Sequence, residues 1–187
     1  KPPDGWLGDV HPIYWQDRWY MPSLEVPTGP LRQGLHRLRS VVLVSEDLIH
    51  WEQINPVIDD PSRRWWIIGT IAKGDKLYTY YNGAEGIDLA TSADMENWKA
   101  YEKNPVLPYS KSPFPELRDP NIFYNEEADE YWMLLTAGLG SEVPWGERGL
   151  VARSRSKDLI NWTAPEAFYA PGNINVPECP EMFELED

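Results

Sequence analysis

The feature that most constrains this chain is a short turn written three times: SEDLIHW from Ser45, SADMENW from Ser92 and SKDLINW from Ser156. The shared pattern is Ser-x-Asp-Leu/Met-x-x-Trp. Each copy follows a short apolar or alternating run (VVLVS, IDLATS, GLVARS), and each leads into a polar or Pro-containing stretch. Such a unit reads as a strand, a tight turn capped by the Ser and Asp side chains, and a Trp that opens the next strand. Self-similarity of this kind points to a repeat architecture before any other consideration.

Further strand candidates, rich in aromatic and β-branched residues, lie between the copies: HPIYW, RWYMPSL, WWIIGTIA, KLYTYYNG, NIFYN and YWMLLTA. Gly, Pro and Asp punctuate them at roughly 8–12-residue intervals. No stretch keeps a helical period, and 18 prolines argue against long helices. About four strands per unit of about 45–60 residues is the size of a propeller blade. The other reading of the same residues is a β-sandwich with coincidental turns. The expectation is therefore an all-β chain with units near 9–60, 61–115 and 116–175, and a fourth opening at about 176. Propellers close with about 4–8 blades, so roughly three and a half would leave an open edge. The remaining blades are expected on another chain, in a symmetry mate or in sequence beyond Asp187.

Charge narrows the function classes. Lys and Arg number 17 against 30 Asp and Glu, a net charge of −13. That field repels phosphate backbones and anionic lipid, so neither nucleic acid nor a membrane surface is an expected partner. The 10 Trp and 10 Tyr against 4 Phe suit stacking surfaces as well as core, because indole is apolar yet donates a hydrogen bond. A single cysteine, Cys179, rules out an internal disulfide and a cysteine-based zinc site. The histidines, His11, His36 and His50, show no ligand spacing. No metal and no cofactor are expected, with only the carboxylates leaving calcium open. No apolar run approaches the roughly 20 residues of a membrane helix. The sequence starts without Met or a signal peptide, which reads as processing or as a start partway through a longer chain; localisation stays open between secreted and cytoplasmic.

An acidic residue recurs before a short strand near the start of three units: Asp9 in GDVHPIYW, Asp119 in LRDPNIFY and Glu178 in PECPEMFEL. The second unit has WWIIGTIA there, with no acid. In a propeller the innermost strand of each blade lines the central channel, so matching positions converge on one channel mouth. Clustered carboxylates repel and raise each other's pKa values, which makes a purely structural role costly. Two carboxyl groups flanking a glycosidic bond, one as nucleophile or base and one as acid, are the chemistry of glycoside hydrolysis. Taken singly, any of these acids could equally be a turn cap or a surface charge.

These residues resemble glycoside hydrolase family 32, the invertases, inulinases, levanases and their transferase relatives. The resemblance rests on RDPNIFY, on ECPEMFEL about sixty residues later and on an early Asp in GWLGDVHP. The SxDLxxW turns and the NPV segments at Asn55 and Asn104 are also similar to that family's blades. It covers the whole chain but only the front part of a five-bladed catalytic domain. It implies Asp9 as nucleophile, Glu178 as general acid/base and Asp119 as the aspartate that steadies the transition state by holding sugar hydroxyls. It further implies a retaining reaction on β-fructofuranosidic bonds in sucrose or fructans. Arg118 would orient the carboxylates and line the substrate site, and Cys179 would pack behind Glu178. Trp6 corresponds to the family's aromatic at the pocket edge; Trp65 and Trp66 fall where the pocket is lined, either stacking on sugar or packing between blades. The family's usual start, Trp-x-Asn-Asp-Pro-Asn-Gly, is here WLGDVHPIY, with Gly8 in place of the Asn that helps bind sugar. The resemblance also leaves open a fructosyltransferase, a related arabinofuranosidase-type propeller enzyme and a sugar-binding fragment without turnover.

Overall fold

The computed structural model describes residues 5–27, 39–59 and 69–183. Among these, three sheets follow one another along the chain. The first is built from β1 (Gly5–Gly8), β2 (Ile13–Trp15), β3 (Arg18–Pro27), β4 (Arg39–Ser45) and β5 (Glu52–Ile54). Its order is β1-β3-β4-β5, and β2 also pairs with β3. The long β3 is thus shared: Gly8 of β1 faces Leu24, while Ile13 of β2 faces Tyr20. β1 and β2 act as one inner strand broken at residues 9–12, and the His11 N–H bonds the Pro22 carbonyl at 3.1 Å across the break.

The second sheet holds β6 (Val57–Asp59), β7 (Gly69–Lys73), β8 (Lys76–Asn82), β9 (Gly86–Ser92), β10 (Asn97–Ala100) and β11 (Leu107–Pro108). Its order is β6-β10-β9-β8-β7, with β11 on β9. Only β6 runs parallel to its partner, β10. The third is a sequential meander of β12 (Glu116–Asn125), β13 (Glu130–Gly138), β14 (Gly149–Ser156) and β15 (Glu166–Tyr169). Residues 170–183, where a fourth unit was expected to open, carry no strand.

The repeated motif closes the turn after β4, β9 and β14. In the second copy the Ser92 hydroxyl accepts the N–H groups of Asp94 and Met95, both at 3.1 Å. Asp94 Oδ1 accepts those of Glu96 and Asn97 at 2.9 and 2.7 Å. Ser45 with Asp47 and Ser156 with Asp158 repeat the scheme. These bonds hold Leu48, Met95 and Leu159 at φ of 63, 65 and 69°, a left-handed conformation that costs a non-glycine residue about 1–2 kcal/mol. Trp51 and Trp98 then donate Nε1–H to the Leu48 and Met95 carbonyls. In the third copy the Tyr80 hydroxyl takes the Leu159 carbonyl at 2.6 Å and couples the second sheet to the third.

The core forms two layers. One, with Trp15, Tyr20, Val42, Leu77, Tyr81, Met95 and Trp98, lies between the first and second sheets. The other, with Tyr80, Ile87, Leu89, Ile122, Met133, Leu135 and Trp162, lies between the second and third. Alternate residues of β8 therefore enter different layers: Leu77 and Tyr81 one, Tyr80 the other. Burial on both faces explains why KLYTYYN reads as a continuous apolar run rather than an alternating one.

Candidate active site

Two acids sit at interruptions of inner strands. Asp9 occupies the break between β1 and β2 with φ 48°, and Asp119 has φ 53° inside β12. There the pairing with β13 slips between Arg118 and Asn121, leaving residues 119–120 out of register as a bulge. Asp tolerates the left-handed region better than most residues, and such a kink turns a side chain off the line of its strand. Cys179 repeats the conformation at φ 49°. Gly69 at the start of β7 admits the bulge: a Cβ there would collide with the Pro120 carbonyl.

A bonding network joins the three acid-bearing segments. Arg118 sets Nε 3.3 Å from Asp119 Oδ2 and Nη2 2.8 Å from Glu178 Oε1, while Nη1 pairs with Glu116. Thr136, opposite Arg118 on β13, places its hydroxyl 3.0 Å from Asp119 Oδ2 and 2.9 Å from the Pro177 carbonyl. The Cys179 N–H faces the Asp119 carboxylate, and the Cys179 thiol lies beside Asp9. Cys179, expected to pack behind Glu178, is half-buried near both aspartates. Trp6 is a backbone position on β1; Trp65 and Trp66 lie outside the described residues.

The electrostatics follow from burial. Asp119, with its side chain 13% exposed, is pushed above the usual carboxylate range chiefly by desolvation, with Asp9 adding repulsion; Arg118, Thr136 and the Cys179 N–H pull the other way. The Thr136 hydroxyl has one proton but faces two acceptors, so both contacts carry a hydrogen only when Asp119 is itself protonated. Burial and the carboxylates of Asp119, Asp9 and Glu178 push the Cys179 thiol up to about 12, so it is no nucleophile. Glu178 is exposed at 66%, with one oxygen anchored by Arg118, and Asp9 is exposed as well.

His11 entered the sequence reading only as a histidine without ligand spacing. It is 4% exposed, with Nδ1 3.0 Å from Glu181 Oε1 and 3.4 Å from Asn121 Nδ2, and Nε2 buried without a partner. Desolvation lowers its pKa, against the pull of Glu181, Asp9 and Asp119. Among the described residues no group of three or more His, Cys, Asp or Glu is arranged to hold a metal ion.

Three successive sheets packed on shared core layers, with acids at broken strands of the first and third, define the chain as part of a β-propeller. Over residues 1–187 it matches the model of the glycosyl hydrolases family 32 N-terminal domain, and it belongs to that family. It is 25% identical over 205 residues to the β-fructofuranosidase, insoluble isoenzyme 1, of Oryza sativa subsp. indica, a match covering 100% of this chain and 34% of that protein. It is 27% identical to the levanase of Bacillus subtilis (strain 168), covering 98% of this chain and 28% of that one. Among solved structures it resembles a mutant of the Bombyx mori GH32 β-fructofuranosidase in complex with sucrose, with a TM-score of 0.73, 25% identity, and 98% of this chain and 40% of that one covered. Fructan 1-exohydrolase IIa from Cichorium intybus shares the fold at a TM-score of 0.71 and 20% identity, over 96% of this chain and 35% of that one. The chain spans about a third of the length of the curated relatives it matches.

Proposed function

We propose that the protein containing this chain is a retaining glycosidase that cleaves β-fructofuranosidic bonds in sucrose or fructans. The observation that carries this reading is the Arg118 guanidinium joining Asp119 to Glu178, with Asp9 and Cys179 beside them, in a family 32 chain. Asp9 attacks the anomeric carbon of the fructosyl unit while Glu178 gives its proton to the leaving oxygen. Glu178 then takes a proton from water, whose oxygen displaces Asp9 and frees fructose with its anomeric configuration kept. Asp119, held by Arg118, Thr136 and the Cys179 N–H, is pre-oriented to bond sugar hydroxyls more strongly as the ring flattens toward an oxocarbenium ion. Transfer to a second sugar differs only in the acceptor that attacks the intermediate.

Product analysis on sucrose, inulin, levan and aryl arabinosides tests the substrate class. Release of arabinose in place of fructose would replace the reading. Glu178→Ala is expected to slow sucrose by about 10²-fold or more and an activated aryl fructoside far less, since only the poor leaving group needs the proton. Equal losses on both would remove Glu178 from the acid role.

A further inference from the structure

Each acid is followed two or three residues on by a second polar side chain: Asp9-Val-His11, Asp119-Pro-Asn121 and Glu178-Cys-Pro-Glu181. These followers also meet. His11 Nδ1 lies 3.0 Å from Glu181 Oε1 and 3.4 Å from the Asn121 amide nitrogen. A second set of contacts therefore joins the three segments that carry the acids, and it passes through one imidazole.

The chemistry of that ring fixes its proton. A carboxylate only accepts, so the hydrogen between His11 and Glu181 belongs to Nδ1. The carboxylate at 3.0 Å outcompetes the amide at 3.4 Å. Nε2 is then a lone pair, buried with no donor among the described residues. A buried acceptor without a donor is a standing cost to stability, so an apolar side chain of similar bulk would serve packing alone as well. The backbone at this point is anchored independently, through His11 N–H to the Pro22 carbonyl. What the imidazole adds is a fixed link from the kink that holds Asp9 to the segment that holds Glu178.

We propose that His11 is a positioning residue: its Nδ1–H bond to Glu181 sets the placement of Asp9 relative to Glu178. The kinetic consequence rests on the fructosidase reading; the bond itself does not. Burial keeps the ring uncharged among the carboxylates of Glu181, Asp9 and Asp119, and Arg118 and Glu178 complete the charged groups of the cluster.

In the enzyme containing this chain, His11→Leu and Glu181→Ala are each expected to lower kcat on sucrose about tenfold to a hundredfold, the scale of a catalytic group displaced by about 1 Å. KM should stay within about twofold and the thermal midpoint within about 2 °C. The double variant should be no slower than the slower single one, because both remove the same bond. Glu181→Gln, which keeps an acceptor for Nδ1–H, should recover most of the loss. Independently of turnover, nitrogen-15 histidine-ring spectra, with His11 assigned by its disappearance in His11→Leu, should show a slowly exchanging proton on Nδ1 that becomes fast in Glu181→Ala. Losses that multiply in the double variant, a thermal midpoint falling in step with kcat, or a ring proton on Nε2 would each overturn the proposal. Absence of fructoside turnover in the parent would count against the functional reading, and the ring-proton measurement would then decide the role of His11.

Discussion

Asp119 shows how a buried carboxylate is kept at a cost. A carboxyl whose folded pKa is raised binds a proton more readily in the fold than in the unfolded chain. Stability contributed by such a group therefore rises as pH falls from its raised value toward the ordinary one of about 3.9. Near neutral pH the ionised, mostly buried Asp119 works against folding, and Arg118, Thr136 and the Cys179 N–H compensate only in part. Asp119→Asn removes the buried charge while keeping an acceptor for the Cys179 N–H. The variant is expected to melt above the parent at pH 7, with the gap closing as pH falls through that window, and to lose about 10²–10³-fold in kcat. Melting curves at several pH values check the first part; a variant less stable than the parent at pH 7 would contradict it. A group whose removal stabilises the fold and stops turnover is held there by its chemistry, not by packing.

At the scale of elements, the three Ser-x-Asp turns use one bonding scheme in different surroundings. Met95 and Leu159 are fully buried, whereas Leu48 is 52% exposed. Removing the Ser92 hydroxyl strands two N–H groups beside the buried Met95; Ser45 is equally buried, but the exposed Leu48 beside it gives water a path to the freed N–H. Ser92→Ala is expected to cost about 1–2 kcal/mol and Ser45→Ala clearly less, read from urea unfolding midpoints at constant slope. Equal costs would mean that burial does not decide the value of this cap. These turns were legible in the sequence because their bonds run between a side chain and a backbone two or three residues away. The placing of Asp9, Asp119 and Glu178 before strands at matching places of their units was legible only in part: Asp9 does precede β2, but Asp119 lies within β12 and no strand follows Glu178 up to residue 183. The parallel attachment of β6 to β10 was not legible, because nothing within VID says which sheet it will join. Thr136, His11 and Glu181 escaped for the same reason: each acquires its role from partners 17 or more residues away, such as Asp119 and Pro177 for Thr136, and carries no local signature.

For the whole molecule, the middle sheet is the one on which cooperativity depends, since β8 supplies side chains to both core layers. Two of its outward ties are the Trp15 Nε1–H bond to the Gly74 carbonyl at 3.2 Å and the Tyr80 hydroxyl bond to Leu159 at 2.6 Å. The second is wholly buried, and the Tyr80 ring also meets Trp162 edge-on at 5.5 Å. Tyr80→Phe keeps that ring contact and deletes only the hydroxyl, so the Leu159 carbonyl loses its proton donor inside the core. The expected cost is about 1–3 kcal/mol, the scale of a buried acceptor left unsatisfied. Because β8 belongs to both layers, the loss should not stay at one interface. Tryptophan fluorescence, which reports on Trp15 and Trp98 in one layer and Trp162 in the other, should shift together with far-ultraviolet circular dichroism in a single transition. Two separated transitions would mean that the layers melt independently, and the acids, drawn from the first and third sheets and the segment after them, would then depend on two interfaces rather than one cooperative unit.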